Sequence, residues 1–150
     1  MHCREAGYET EIYAAVIDER LPQGTAQPFE RLGEPTANDI VIYHLSNGHI
    51  LDHEIEKLDG KKVIIYHKYH AERYFKNITG RIFCVQGIKA AKRLAKTAEC
   101  PCAVAEKNKQ DLIRLGFTCD IEVLPVVYYE KADRRDDYVN ILFTGCMAMI

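Results

Sequence analysis

No apolar run in this chain approaches the ~20 residues that cross a bilayer. The nucleotide fingerprints are missing as well: there is neither a GxGxxG nor a GxxxxGK followed by Ser or Thr. No GxSxG is present, which argues against an α/β-hydrolase. Internal repeats and low-complexity tracts are lacking. The opening residues, MHCREAGYE, are charged and short of apolar side chains, unlike a secretory leader. Strong charge of either sign is also missing. Twenty Lys and Arg face 22 Asp and Glu for a net charge of −2, which gives no electrostatic reason to expect nucleic acid. The local basic run Lys89 to Lys96 reads as the wet face of a helix. Six cysteines without an export signal point to reduced thiols and a cytoplasmic protein.

What is present is the pattern of one soluble domain with a real core: 150 residues, 47% hydrophobic and 28% charged. Its most informative stretch is Asp39 to Tyr74. Two apolar runs, Ile40 to Tyr43 and Val63 to Tyr66, each end in a histidine, with a Gly-containing turn and an amphipathic helix between them. Runs without polar alternation read as strands buried on both faces, and a helical crossover makes them a parallel pair. His44 and His67 then stand at the carboxyl ends of neighbouring strands, the edge where open α/β sheets bind ligands.

Along the chain, Glu11 to Ile17 reads as a first strand. Asp18 to Asn38, with three prolines and two glycines, reads as a loop. Strands follow at Asp39 to Tyr43 and Lys62 to Tyr66. Between them lies a helix carrying Leu51, Ile55 and Leu58 and stopped by Asp59-Gly60. A short helical turn is expected at Ala71 to Phe75 and the longest helix at Phe83 to Ala98. A strand at Cys102 to Ala105 precedes a helix from Asn108 or Lys109 to Leu115, closed by Gly116. A fifth strand covers Ile121 to Leu124. A charged linker, Glu130 to Asp137, leads to a sixth strand at Asn140 to Thr144. Strands alternating with helices place the chain in the α/β class, a Rossmann-like mainly parallel sheet flanked by helices.

The carboxyl-end loops gather candidate ligand contacts. His44, Ser46, Asn47 and Gly48 precede a helix, whose first N–H groups favour an anion or a sugar hydroxyl. Ser46 and Asn47 equally fit plain helix caps. His67, with His70 close by, can reach a ligand through either ring nitrogen; a histidine satisfied by a neighbouring carbonyl is the alternative. Asn108 lies on a further loop of the same edge. His49 and His53, four apart, could face one zinc, but residue 50 is Ile where HExxH needs Glu, so they read as solvated helix histidines. Cys100 and Cys102 with Cys84 and Cys119 lack paired CxxC spacing and read as structural thiols, so no metal site is expected.

Three ordered segments resemble the amino-terminal domain of family 4 (group 1) glycosyltransferases. They are Tyr8 to Tyr13, Asn38 to Gly48 and Lys61 to Lys68. Cys102 to Leu112 is similar to that family's strand–helix junction, AV-S-x-x-N-x-x-x-L. Gly116-Phe117 and Val123-Leu124-Pro125 follow in the family's order, and Asn140 to Gly145 resembles the opening strand of its second domain. The resemblance implies one half of a GT-B architecture. Residues 1–129 form the acceptor-side domain, and residues 130–150 form a linker and the first strand of a truncated second domain. Such enzymes move a sugar from a nucleotide-sugar donor to an acceptor with retention, usually without a metal and with no cofactor beyond the donor. The residue matching His67 contacts the transferring sugar, and the segment matching Ser46 to His49 lines the cleft.

The departures shape a second expectation. The family's first strand and Gly-rich loop have no counterpart before Met1, its paired glutamates have none before Ile150, and Cys146 stands where the family often has Arg. The resemblance therefore implies an incomplete enzyme, inactive alone, whose donor site a second polypeptide would supply. Asn140 to Thr144 is a candidate to occupy the slot of the absent central strand. A non-catalytic binding domain, or a gene fragment that kept the fold, is the competing reading.

Overall fold

The computed structural model describes residues 6–46, 51–67 and 76–125. In chain order they form β1 (Tyr13–Ala14), β2 (Gln27–Pro28), a 3-10 turn (Phe29–Arg31), β3 (Ile40–Leu45), α1 (Leu51–Lys57), β4 (Lys61–Tyr66), α2 (Ile78–Leu94), β5 (Cys100–Ala103), α3 (Glu106–Leu115) and β6 (Glu122–Val123). The two short strands β1 and β2 pair parallel with each other. The other four make a separate all-parallel sheet in sequence order, β3-β4-β5-β6.

Local chemistry sets the element ends. Asn77 caps α2, its side-chain oxygen accepting from the Gly80 N–H at 2.6 Å. Gly116 ends α3 with φ at 105°, and its N–H turns back to the carbonyls of Leu112 and Ile113. Gly60 launches β4 with φ at 93°, where a Cβ would lie 2.9 Å from the Asp39 carbonyl oxygen and 3.1 Å from that of Thr36. Only glycine fits that close approach without strain.

The three helices pack on one face of the sheet. Leu45, Ile64, Tyr66 and Ala103 point to that face and share a core with Ile55 of α1, Ala91 and Leu94 of α2, and Leu112 of α3. Arg93 of α2 ties to Glu56 beyond Ile55 at 2.7 Å, holding neighbouring helices together. Side chains alternate across a strand, so the opposite face carries Ile40, Ile42 and His44 of β3, Val63 and Ile65 of β4, and Cys102 of β5. Ile40 is 56% exposed and Ile42 51% exposed. No described helix contributes to that second face.

The parallel crossover between the histidine-ended strands is present, and the mixed α/β class with a parallel sheet holds. Other expectations change. Both faces of the first apolar run were expected to be buried; among the described strands β3 lies at the edge of the sheet, with Ile40 and Ile42 exposed on the face away from all described helices. The strand expected at Glu11 to Ile17 shrinks to Tyr13–Ala14 and stands outside the main sheet. Its alternation is broken by Ala14-Ala15 and by Val16, 85% exposed, so it offers no apolar face to a neighbour. The loop after it holds β2 and the 3-10 turn, whose Phe29 packs on the core. The longest helix begins at Ile78 rather than Phe83, because the Asn77 cap sits five residues earlier than the apolar periodicity suggests. The four described strands of the main sheet pair without a gap. The turn at Ala71 to Phe75 and the strand at Asn140 to Thr144 lie outside the described residues, as does the proposed boundary at 129 and 130.

Candidate functional site

Parallel strands deliver their carboxyl ends to one rim, and β3 and β4 end level with each other, Leu45 beside Tyr66. His44 lies across from Ile65 and diagonally from His67, on the open face. The two exposed imidazoles meet there. His44 Nδ1 is 2.8 Å from His67 Nε2, the ring centroids are 5.1 Å apart, and the planes differ by 26°. One of the two facing nitrogens must carry the proton and the other must accept it. Partial burial beside the sheet pulls the His67 pKa below the ordinary imidazole value, and the neighbouring His44 lowers it further. At neutral pH His67 is therefore an uncharged imidazole, able to donate from one nitrogen and accept at the other.

The backbone at His67 is held from two sides. Its N–H donates to the Leu45 carbonyl at 2.9 Å, extending the β3–β4 ladder past Tyr66. Its carbonyl accepts from the buried Asn108 side-chain amide at 3.1 Å. Asn108 sits in the first turn of α3, so this bond pins the end of β4 to the start of the next crossover helix. Asn108 thus serves the rim by fixing His67 rather than by standing open to solvent.

Beneath the rim, on the helix-covered face, the Tyr43 hydroxyl donates to Asp52 at 2.5 Å. Burial and the Asp52 carboxylate push the Tyr43 hydroxyl pKa far above its ordinary value. Asp52 is itself 3% exposed. This bond joins β3 to the first turn of α1, one residue away in sequence from His44. Sequence reasoning missed it, although a signal existed: Asp52 lies three residues before Ile55 and so shares its inward face.

Of the residues read as site candidates, His44, His67 and Asn108 converge, and Ser46 is exposed just past β3. Asn47, Gly48 and His70 lie outside the described residues. His53 is exposed on α1 and stands 3.5 Å from Glu56. Cys100 and Cys102 sulfurs are 3.9 Å apart. Burial raises the Cys102 thiol to about 11, with Cys100 and Glu122 adding to the effect, so it stays protonated and unreactive at neutral pH. Among the described residues no three His, Cys, Asp or Glu side chains gather as a metal cluster. No described helix is long and apolar enough to cross a membrane.

A concavity of about 490 Å³ lies between α3 and the loop to β6, lined by Ile113, Phe117 and Ile121 among others. It opens at the amino-terminal edge of the sheet, opposite the histidine rim. Comparison with family models, curated proteins and solved structures finds no match.

Proposed function

We propose that this chain is the acceptor-side domain of a sugar-transferring enzyme, with the rim at His44 and His67 as the place where a hydroxyl-rich ligand docks. The observation that carries the reading is the pair of imidazoles meeting at the carboxyl edge of two parallel strands, the edge that α/β sheets use for ligands. An uncharged His67 suits a sugar, because each hydroxyl both donates and accepts. Its backbone is fixed through Asn108 and Leu45 and its ring is bonded to His44, which limits where the ring can sit, as positioned hydrogen bonds in group transfer require. The ordered resemblance to family 4 glycosyltransferases supplies the reaction class: transfer from a nucleotide-sugar donor whose binding residues belong to a second domain or a second polypeptide.

Titrating glucose, maltose and UDP-glucose into isotope-labelled protein, while following the histidine ring signals, tests this. The sugars should move His44 and His67 signals and leave His53 unchanged, and His67→Ala should weaken binding about tenfold, the loss of one good hydrogen bond of about 1.4 kcal/mol. Silence from both rim histidines at saturating sugar would remove the reading.

A second reading is supported by a separate observation. The open sheet face with Ile40 and Ile42 suits an interaction domain without chemistry, since parallel sheets ordinarily have both faces covered. Mixing the chain with a donor-side polypeptide and assaying sugar transfer separates the two readings: turnover supports the enzyme, and binding without turnover supports the interaction domain.

A further inference from the structure

A sheet edge that ends in bare backbone is a template for another strand. Among the described strands β3 is such an edge: β4 flanks one side, and no described strand flanks the other. The ladder fixes which groups face outward. The Asp39 and Leu45 carbonyls accept from the Lys61 and His67 N–H groups at 2.9 Å each, so the odd-numbered residues turn their backbone to β4. Ile40, Ile42 and His44 therefore turn their N–H and C=O groups away from it. The side chains of the same residues share the face away from the described helices, where Ile40 and Ile42 are more than half exposed.

The strand also lacks the devices that guard an edge. From Ile40 to Leu45 there is no Lys, Arg, Asp, Glu or Pro, and all six residues run in unbroken register along β4, without a bulge. From this we propose that β3 docks on β3 of a second copy of this chain, antiparallel about a twofold axis at Ile42. Two four-stranded sheets would then become one continuous sheet. The pairing engages the His44 backbone and leaves its ring beside His67, so it does not depend on the sugar reading.

Self-complementarity selects a second copy as the occupant. Opposed residues of an antiparallel pair exchange both of their N–H···O bonds when both turn their backbone inward. A twofold axis at Ile42 sets Ile42 opposite the partner's Ile42, and Ile40 opposite the partner's His44. Every outward N–H and C=O of the three residues then has a partner. Moving the axis to Val41 or Tyr43 leaves one of the three opposite a residue beyond the strand. Charge agrees with this register: His44 meets Ile40 and never itself, so no like charges oppose across an interface that uses the same patch twice. A single strand seam falls short of the roughly 800 Å² per partner of a standard stable interface, so the association is concentration-dependent rather than permanent.

Sedimentation equilibrium of the whole chain, from about 10 µM to about 1 mM, tests the seam. The expected result is a mass rising from that of one chain towards two. Ile42→Lys and Ile42→Glu each bring like charges together at the axis and should weaken self-association tenfold or more, while mixing the two variants should restore it. Circular dichroism checks that both fold. Val16→Lys, at an exposed position outside the main sheet, should change nothing. Amide hydrogen exchange of the native chain gives a readout independent of any variant. The Ile40, Ile42 and His44 amides should exchange more slowly in concentrated than in dilute protein, and the Val41 and Tyr43 amides, turned to β4, equally in both. A mass of one chain at the highest concentration, undiminished association in Ile42→Lys, or no recovery in the mixture would each overturn the seam. So would association that leaves the three amides unprotected, or their protection in the dilute monomer, which a segment of the same chain covering the edge would produce.

Discussion

Asn108 affects the rim without facing it. Its amide donates to a carbonyl at the end of a buried strand, so Asn108→Ala removes a donor and leaves the His67 carbonyl short of a partner. The expected cost is about 1–3 kcal/mol in urea unfolding, together with a change in the His67 ring signal. A stability loss with an unaltered His67 signal would show that the clamp does not reach the ring. His67 should itself titrate below ordinary histidine in NMR, because burial and then His44 disfavour its charged form. His44→Ala should raise that pKa partway and no further, since burial is the larger cause. The sign for stability follows: the unfolded chain takes up the proton first, so the His67 contribution is present above the ordinary imidazole pKa and is lost as pH falls below it. Tyr43 runs the other way. Its folded pKa is raised, so its contribution is complete below pH ~10 and declines above it, by up to about 1.4 kcal/mol per pH unit before discounting for the ring's residual exposure. The stability gap between the native chain and Tyr43→Phe should therefore narrow between pH 9 and 11, taking the ordinary tyrosine pKa of about 10 as the pivot; a constant gap would contradict the assignment.

At the scale of elements, two glycines at positive φ make contrasting predictions. Gly60 and Gly116 both occupy left-handed backbone, but a Cβ at Gly60 meets the Asp39 and Thr36 carbonyls while one at Gly116 meets open space. Gly60→Ala should cost more than Gly116→Ala, whose strain alone is about 1 kcal/mol; thermal melts of the two variants rank them, and the reverse order would refute the close approach. Both glycines were readable as helix stops, because a Gly after the last periodic apolar residue has few other uses. The β3, α1 and β4 sequence was equally readable, since continuous Ile and Val runs flanking a helical period admit few arrangements. The true start of α2 was hidden because its cap, Asn77, precedes residues that remain exposed, Ile78 at 75% and Ile82 at 50%, and so carries no buried stripe. The stacking of all described helices on one side of the sheet was hidden for a different reason. An apolar run reads the same whether a second layer of helices lies over it or not, and the strand order that decides this is a long-range property.

For the described residues as a whole, a sheet wound in sequence order places the helices on one face and leaves Ile40 and Ile42 exposed on the other. Core and open face should answer differently to the same cut. Ile64→Ala, at a fully buried site, should cost about 2–5 kcal/mol. Ile42→Ala, on the open face, should cost well under half as much in urea unfolding, because much of its surface already meets water. Equal losses would mean that the second face is covered. The same winding puts the ends of β3 and β4 side by side, and the proposed sugar site depends on the two imidazoles meeting there. The direct measurement is the nuclear Overhauser effect between the ring protons of His44 and His67 in protein labelled only at histidine. With ring centroids 5.1 Å apart, a cross-peak between these two rings is predicted, vanishing in His44→Ala. No cross-peak in the folded native chain would contradict the shared rim.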